Sequence, residues 1–268
     1  MAKNLFIKYI YSLCILLIIS LCGYISYGQT LTVSDDGETG TSGKNWSLSG
    51  IVLVASESVS IHPSVIERAL DFGNFSIQVN GEKGTILIQS QIRASKNHVL
   101  KLIAQSSIQV YKPIVISGGE VYLSVKDTQA ARGNIFVNSE ISVISTIGQG
   151  GDILLEAKDI TLSEKAKLLT SGVNGGGNIL VGGDWQGGTS EDYRVYDDPY
   201  KLKQATKVTM HNAALIDASA TQNGNGGTII LWTDIKNPNS VTDVHGTILS
   251  KGGSNSGDGG KIETSGNI

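Results

Sequence analysis

The chain has 268 residues, 40% of them hydrophobic and 17% charged, with 33 glycines against 4 prolines. That length suits one large all-β domain, and the excess of glycine over proline favours turns over stiff, disordered linkers. The formal net charge is −3 and no basic run is present, so the electrostatic footprint that nucleic-acid binding requires is missing.

In chain order, residues 1–28 come first and differ from everything after them. Lys3 and Lys8 precede or flank an apolar run over 10–25, and Ser26 and Gly28 supply small side chains before Gln29. This predicts a secretory signal peptide cleaved between Gly28 and Gln29. The run is also close to the roughly 20 residues of a membrane span, so an uncleaved anchor is the alternative, and export follows from both. Cys14 and Cys22 lie in this leader, so the predicted mature chain has no thiol for a disulfide, a metal or a nucleophile. Its charge is 19 − 24 = −5 once the two lysines are lost, and no membrane contact is expected after cleavage.

Residues 29–74 read as an N-terminal cap. Short strands are expected at 31–34, 51–55 and 58–61, then a helix over 64–70 with Pro63 at its start and Gly73 after its end. Such a cap would cover the unpaired edge of the coils that follow. From residue 75 strands recur, at 76–79, 85–89, 100–104, 107–110, 121–125, 134–137 and 141–144. Over 75–268 the pattern Gly-x-[Ile/Val]-x-[Leu/Val/Ile/Thr] occurs seven times, starting at Gly84, Gly119, Gly133, Gly151, Gly177, Gly227 and Gly260. Each copy reads as a glycine turn at positive φ followed by a strand whose alternate side chains share a face. One such strand buries too little to stand alone, so the copies must stack into an all-β solenoid over 75–268. The starts are 35, 14, 18, 26, 50 and 33 residues apart, and the 14 and 18 combine into one coil. Roughly eight or nine coils result, about 40 Å of stack at the usual strand spacing.

The interval of 50 holds an insertion, 184–207, rich in aromatic and acidic residues. Insertions of this kind project from one face of a solenoid and often bind partners. Trp185, Tyr193, Tyr196, Asp197 and Asp198 are therefore the candidate ligand-binding residues, against the plainer reading of a solvated loop. Asp197 and Asp198 are also the best candidate carboxylate pair for polysaccharide cleavage, the alternative function. Trp185 and Trp232 fit either stacking on sugar rings or packing over neighbouring coils. His62, His98, His211 and His245 stand alone in sequence, without metal-ligand spacing, and read as turn or strand-edge residues. Gly257-Asp258-Gly259-Gly260 resembles part of a calcium-binding nonapeptide, but a single partial copy is better read as a tight turn. No cofactor, metal or catalytic residue is expected.

Four motifs carry a family resemblance: Gly182-Gly183-Asp184-Trp185-Gln186-Gly187, Gly224-Asn225-Gly226-Gly227 followed by Trp232-Thr233-Asp234, His245-Gly246-Thr247-Ile248 before Gly252-Gly253, and Gly257-Asp258-Gly259-Gly260 with Glu263-Thr264-Ser265-Gly266. In this order the chain resembles filamentous-haemagglutinin-like proteins over about residues 75 to 268. The resemblance implies a right-handed parallel β-helix exported by a Gram-negative bacterium, within a longer adhesin or surface rod. It further implies a non-enzymatic structural or adhesive role, outer-membrane export machinery as one partner, and a host or surface glycan or protein as another. Family members exported through a dedicated outer-membrane partner share an Asn-Pro-Asn motif in the N-terminal secretion domain; here Asn237-Pro238-Asn239 lies late, within a turn. The sequence stops at Gly266-Asn267-Ile268, where a fresh strand would begin, which predicts a section of a longer product.

Overall fold

The computed structural model describes residues 29–40, 52–55, 57–81, 83–126, 133–189, 194–196 and 201–267, with backbone alone for 42–43 and 46–49. The expected leader, with Cys14 and Cys22, lies outside the described residues. No helix among the described residues is long and apolar enough to cross a membrane.

Among the described residues three sheets of eight, six and ten strands are stacked, and apart from the antiparallel pairs that begin the ten-stranded sheet every pairing is parallel. A complete rung takes one strand from each sheet, as in Thr85–Ile88, Ile92–Ala94 and Val99–Ala104. The final described rung is Val241–Val244, Thr247–Leu249 and Lys261–Ser265. This is a parallel β-helix, as the stacking argument requires. Among the described residues the six strands of the shortest sheet set the number of complete rungs, fewer than the eight or nine expected. The interval of 50 accounts for part of the difference, because it holds a single rung plus its insertion.

Stacking in register builds the core. Ile86, Ile108, Ile135, Ile160 and Val208 form one inward column, and Ile92, Ile114, Ile141, Leu168, Ile216 and Ile248 form another. The ten-stranded sheet adds Leu100, Val121, Ile153, Ile179, Ile229 and Ile262. All are buried until the last rung, where Ile262 is 48% exposed. β-branched side chains dominate because they suit a pleated strand and repeat the same shape at each level.

The helix expected over 64–70 forms as Pro63–Phe72, with the His62 ring accepting from the Ser64 N–H at its start. It stands in the first, incomplete rung where a strand of the shortest sheet would lie. There it buries Val65, Ile66 and Leu70, and its Glu67 carboxylate accepts from the Arg93 N–H at 2.9 Å. The strand expected at 31–34 is longer, Thr30–Glu38, and lies inside the eight-stranded sheet between Val59–Ile61 and Thr85–Ile88.

The repeated glycines require a correction. Gly119 has a positive φ, 77°, but Gly84, Gly151, Gly177, Gly227 and Gly260 do not. Their reason is close approach. A Cβ on Gly151 would lie 2.1 Å from the Gly119 carbonyl oxygen; on Gly177, 1.9 Å from that of Gly151; on Gly227, 1.8 Å from that of Gly177; and on Gly260, 2.0 Å from that of Gly227. Each glycine thus sits flush on its counterpart one rung earlier, and the N–H of the following residue can donate to that carbonyl, as from Lys261 to Gly227 at 3.0 Å. The two copies at Gly84 and Gly133 open strands of the eight-stranded sheet instead, which is why the intervals of 14 and 18 merge into one rung.

Gly227→Ala should therefore lower stability by about 1–3 kcal/mol through overpacking. Gly73→Ala, where an added Cβ meets nothing within 4 Å and the backbone is extended, should stay within about 0.5 kcal/mol of the parent. Equilibrium denaturation of the two variants checks the contrast.

Candidate functional site

A strand with one wet face alternates apolar and polar residues, whereas a strand covered on both faces carries a continuous apolar run. Three successive strands of the ten-stranded sheet show such runs: Ile153-Leu154-Leu155, Ile179-Leu180-Val181 and Ile229-Ile230-Leu231-Trp232. Their outward members Leu154, Leu180 and Ile230 align in register, with Tyr122 before them and Glu263 after. The described parts of the insertion lie across this stripe, placing Trp185, Val195, Tyr196 and Leu202 on it.

Asp184 folds the insertion. Its buried carboxylate accepts from the Trp185 N–H at 2.6 Å and the Val195 N–H at 2.8 Å through Oδ1, and from the Tyr196 N–H at 3.0 Å through Oδ2. Burying a charge is costly unless hydrogen bonds replace its hydration, and three amide donors supply them. The flanking glycines make room for Trp232, which is 4% exposed. A Cβ on Gly183 would lie 2.6 Å from the indole Cδ1, and one on Gly187 3.0 Å from its Cζ2. The indole Nε1–H donates to Gln204 Oε1 at 3.0 Å, and Gln204 Nε2 donates to the Gly187 carbonyl at 3.0 Å. The Gly182-to-Gly187 motif is thus a cradle for a tryptophan of the next rung.

A second buried acid, Glu156, holds the other side. It accepts from the Tyr122 hydroxyl in a short contact, from Ser124 Oγ at 3.2 Å and from the Lys203 N–H at 3.2 Å. Burial first, then the Glu156 charge beside it, push the Tyr122 phenol well above its ordinary range. Asp152, at the start of the same strand as Glu156, is raised by burial, an effect opposed by two hydrogen bonds from Asn178.

The candidate ligand-binding residues divide. Trp185 and Tyr196 are half-buried in the cover over the stripe, while Tyr193, Asp197 and Asp198 lie outside the described residues. Trp232 takes the packing alternative. Trp185 keeps a partly exposed ring with Lys261 Nζ 5.7 Å from its centroid, and the Gln186 N–H beside it donates to Glu263 Oε2 at 3.0 Å. Of the histidines, His62 caps the helix, His98 Nδ1 lies 2.5 Å from the Leu70 carbonyl, and His245 pairs with Asp243 at 2.7 Å on the surface. Among the described residues no group of three His, Cys, Asp or Glu is placed to hold a metal ion. Asp258 serves the turn stack through its backbone, donating to Asn225 Oδ1 and accepting from the Gly226 N–H. Asn237-Pro238-Asn239 is a turn, closed by Ser240 Oγ donating to the Asn237 carbonyl at 2.9 Å. Sequence reasoning missed Tyr122, Glu156 and the role of Asp184; the three unbroken apolar runs were the signal that a second layer covers this face.

No protein-family model matches the chain, and no curated protein matches it. Among solved structures it is similar to the crystal structure of the HMW1 secretion domain from Haemophilus influenzae, with a TM-score of 0.57 and 21% identity, over 71% of this chain and 52% of that one. The chain thus spans about half the length of that structure, and the likeness shows the fold alone.

Two outcomes follow from the buried acids. Asp184→Ala leaves three amides without their acceptor and should cost about 2–4 kcal/mol, read from the denaturation midpoint, with a red-shifted emission as Trp232 meets water. Tyr122 holds its proton more tightly folded than unfolded, so its contribution is present below the ordinary value of 10.0 and is lost as pH rises beyond it, where the unfolded phenol ionises. Stability measured from pH 9 to 11 should therefore fall more steeply for the parent than for Tyr122→Phe.

Proposed function

We propose that the chain is an exported, non-enzymatic structural module of a bacterial surface or secreted protein akin to the filamentous-haemagglutinin-like adhesins. The observation that carries this reading is how the insertion, the chief departure from the coil pattern, and the strands beneath it use their described polar groups. The Asp184 carboxylate is taken up by backbone amides, Glu156 by two hydroxyls and an amide, and Trp232 by its cradle. A catalytic carboxylate needs access to substrate, and these two are buried. A stack whose side chains repeat rung after rung instead offers a long, uniform surface, on which binding arises from repetition. Likeness to a secretion domain supports export, and it makes outer-membrane export machinery the first partner to seek. A surface glycan or protein is the second, with the partly exposed Trp185 the place where a sugar ring would stack.

Fractionation tests the reading. An antibody raised against the coil region should detect the protein in the surface or medium fraction of the producing cells. Antigen confined to the soluble cytoplasm would overturn export, and turnover of any glycan by the purified protein would overturn the non-enzymatic part.

A further inference from the structure

In a bare solenoid each rung meets its immediate neighbours, so one end can fray while the middle stays folded. The insertion breaks that rule. At one end of it the Tyr196 hydroxyl donates to Glu120 Oε1 at 3.5 Å, with the Tyr196 ring 6.1 Å from that of Tyr122. At the other the Gln186 N–H donates to Glu263 Oε2 at 3.0 Å. Glu120 and Glu263 belong to strands Glu120–Val125 and Lys261–Ser265, and three further strands of the ten-stranded sheet lie between them. Four strand spacings put these anchors roughly 19 Å apart along the stack. Between them Glu156 holds Lys203, Trp232 holds Gln204, and Asp184 ties the pieces to one another.

We propose that the described pieces of 184–204 form an axial strap that couples five consecutive strands of the ten-stranded sheet into one cooperative unit. This goes beyond the exported-module reading and does not depend on it. The strap's far contact needs Lys261–Ser265 already in place, so closing it is the last step in ordering this part of the stack. Once closed, it makes opening at either end require breaking contacts at the other, and that coupling is reciprocal.

Reciprocity gives the test. Hydrogen exchange is followed by mass spectrometry on the full chain as the parent, Tyr196→Ala and Glu263→Ala. Tyr196→Ala should speed exchange in Lys261–Ser265, the distant strand, by roughly fivefold or more, and Glu263→Ala should do the same in Glu120–Val125. Thr85–Ile88, which the strap does not reach, should be unchanged in both. Acceleration limited in each variant to the strand it touches would overturn the proposal. Should Tyr196→Ala fail to fold, Tyr196→Phe, which removes the hydroxyl alone, gives the same distant readout, and Glu263→Ala decides independently.

Discussion

Everything in this molecule depends on the repeat distance between rungs. Parallel strands stack about 4.8 Å apart, and the chain keeps that spacing where it turns as well as where it is straight. The ladder of Gly119, Gly151, Gly177, Gly227 and Gly260 is where the constraint bites hardest, because backbone meets backbone with no room for a methyl group. Given that spacing, the columns of isoleucine, leucine and valine fall into line, and each side chain packs on a copy of itself. The core is narrow but continuous, and its stability grows by the rung.

A narrow core leaves three outer faces, and one of them is used differently. The middle of the ten-stranded sheet is apolar outside as well as in, so the insertion is needed to cover it and becomes a second layer. Covering that face buries two carboxylates, and each is tolerated because its hydration is replaced donor for donor. The same hydrogen bonds fix where the insertion lies. Cover and clasp are therefore one feature: without the apolar stripe the acids would have nothing to hold down, and without the acids the cover would have no fixed position.

The coil was legible in the sequence because its signal is periodic. The Gly-x-Ile-x-Leu pattern marks strand starts in two of the three sheets, and most expected strands fall within a residue or two of those formed. The cause assigned to the glycines was not legible, since positive φ and close approach between distant segments select the same residue. The rung count was overestimated because irregular spacing hides which copies belong to one turn of the coil. In the insertion, Trp185 and Tyr196 stood out by composition, but their use as a cover depends on Leu154, Leu180 and Ile230, residues from three other rungs that meet only after stacking. Glu156 gave no sign, being one acid in a strand, and Asp184 stood in a quoted motif without its amide-holding role being visible.

The strand Thr30–Glu38 lies between partners that come later in the sequence, Val59–Ile61 on one side and Thr85–Ile88 on the other. A chain emerging from a pore or a ribosome cannot simply wind this part of the stack strand by strand in sequence order. The strand's two partners become available only once residue 61, and then residue 88, have appeared. The slot for Thr30–Glu38 is thus filled by loop closure over tens of residues, whereas each later rung is added by local winding beside the one before it, so two parts of one architecture obey different kinetics.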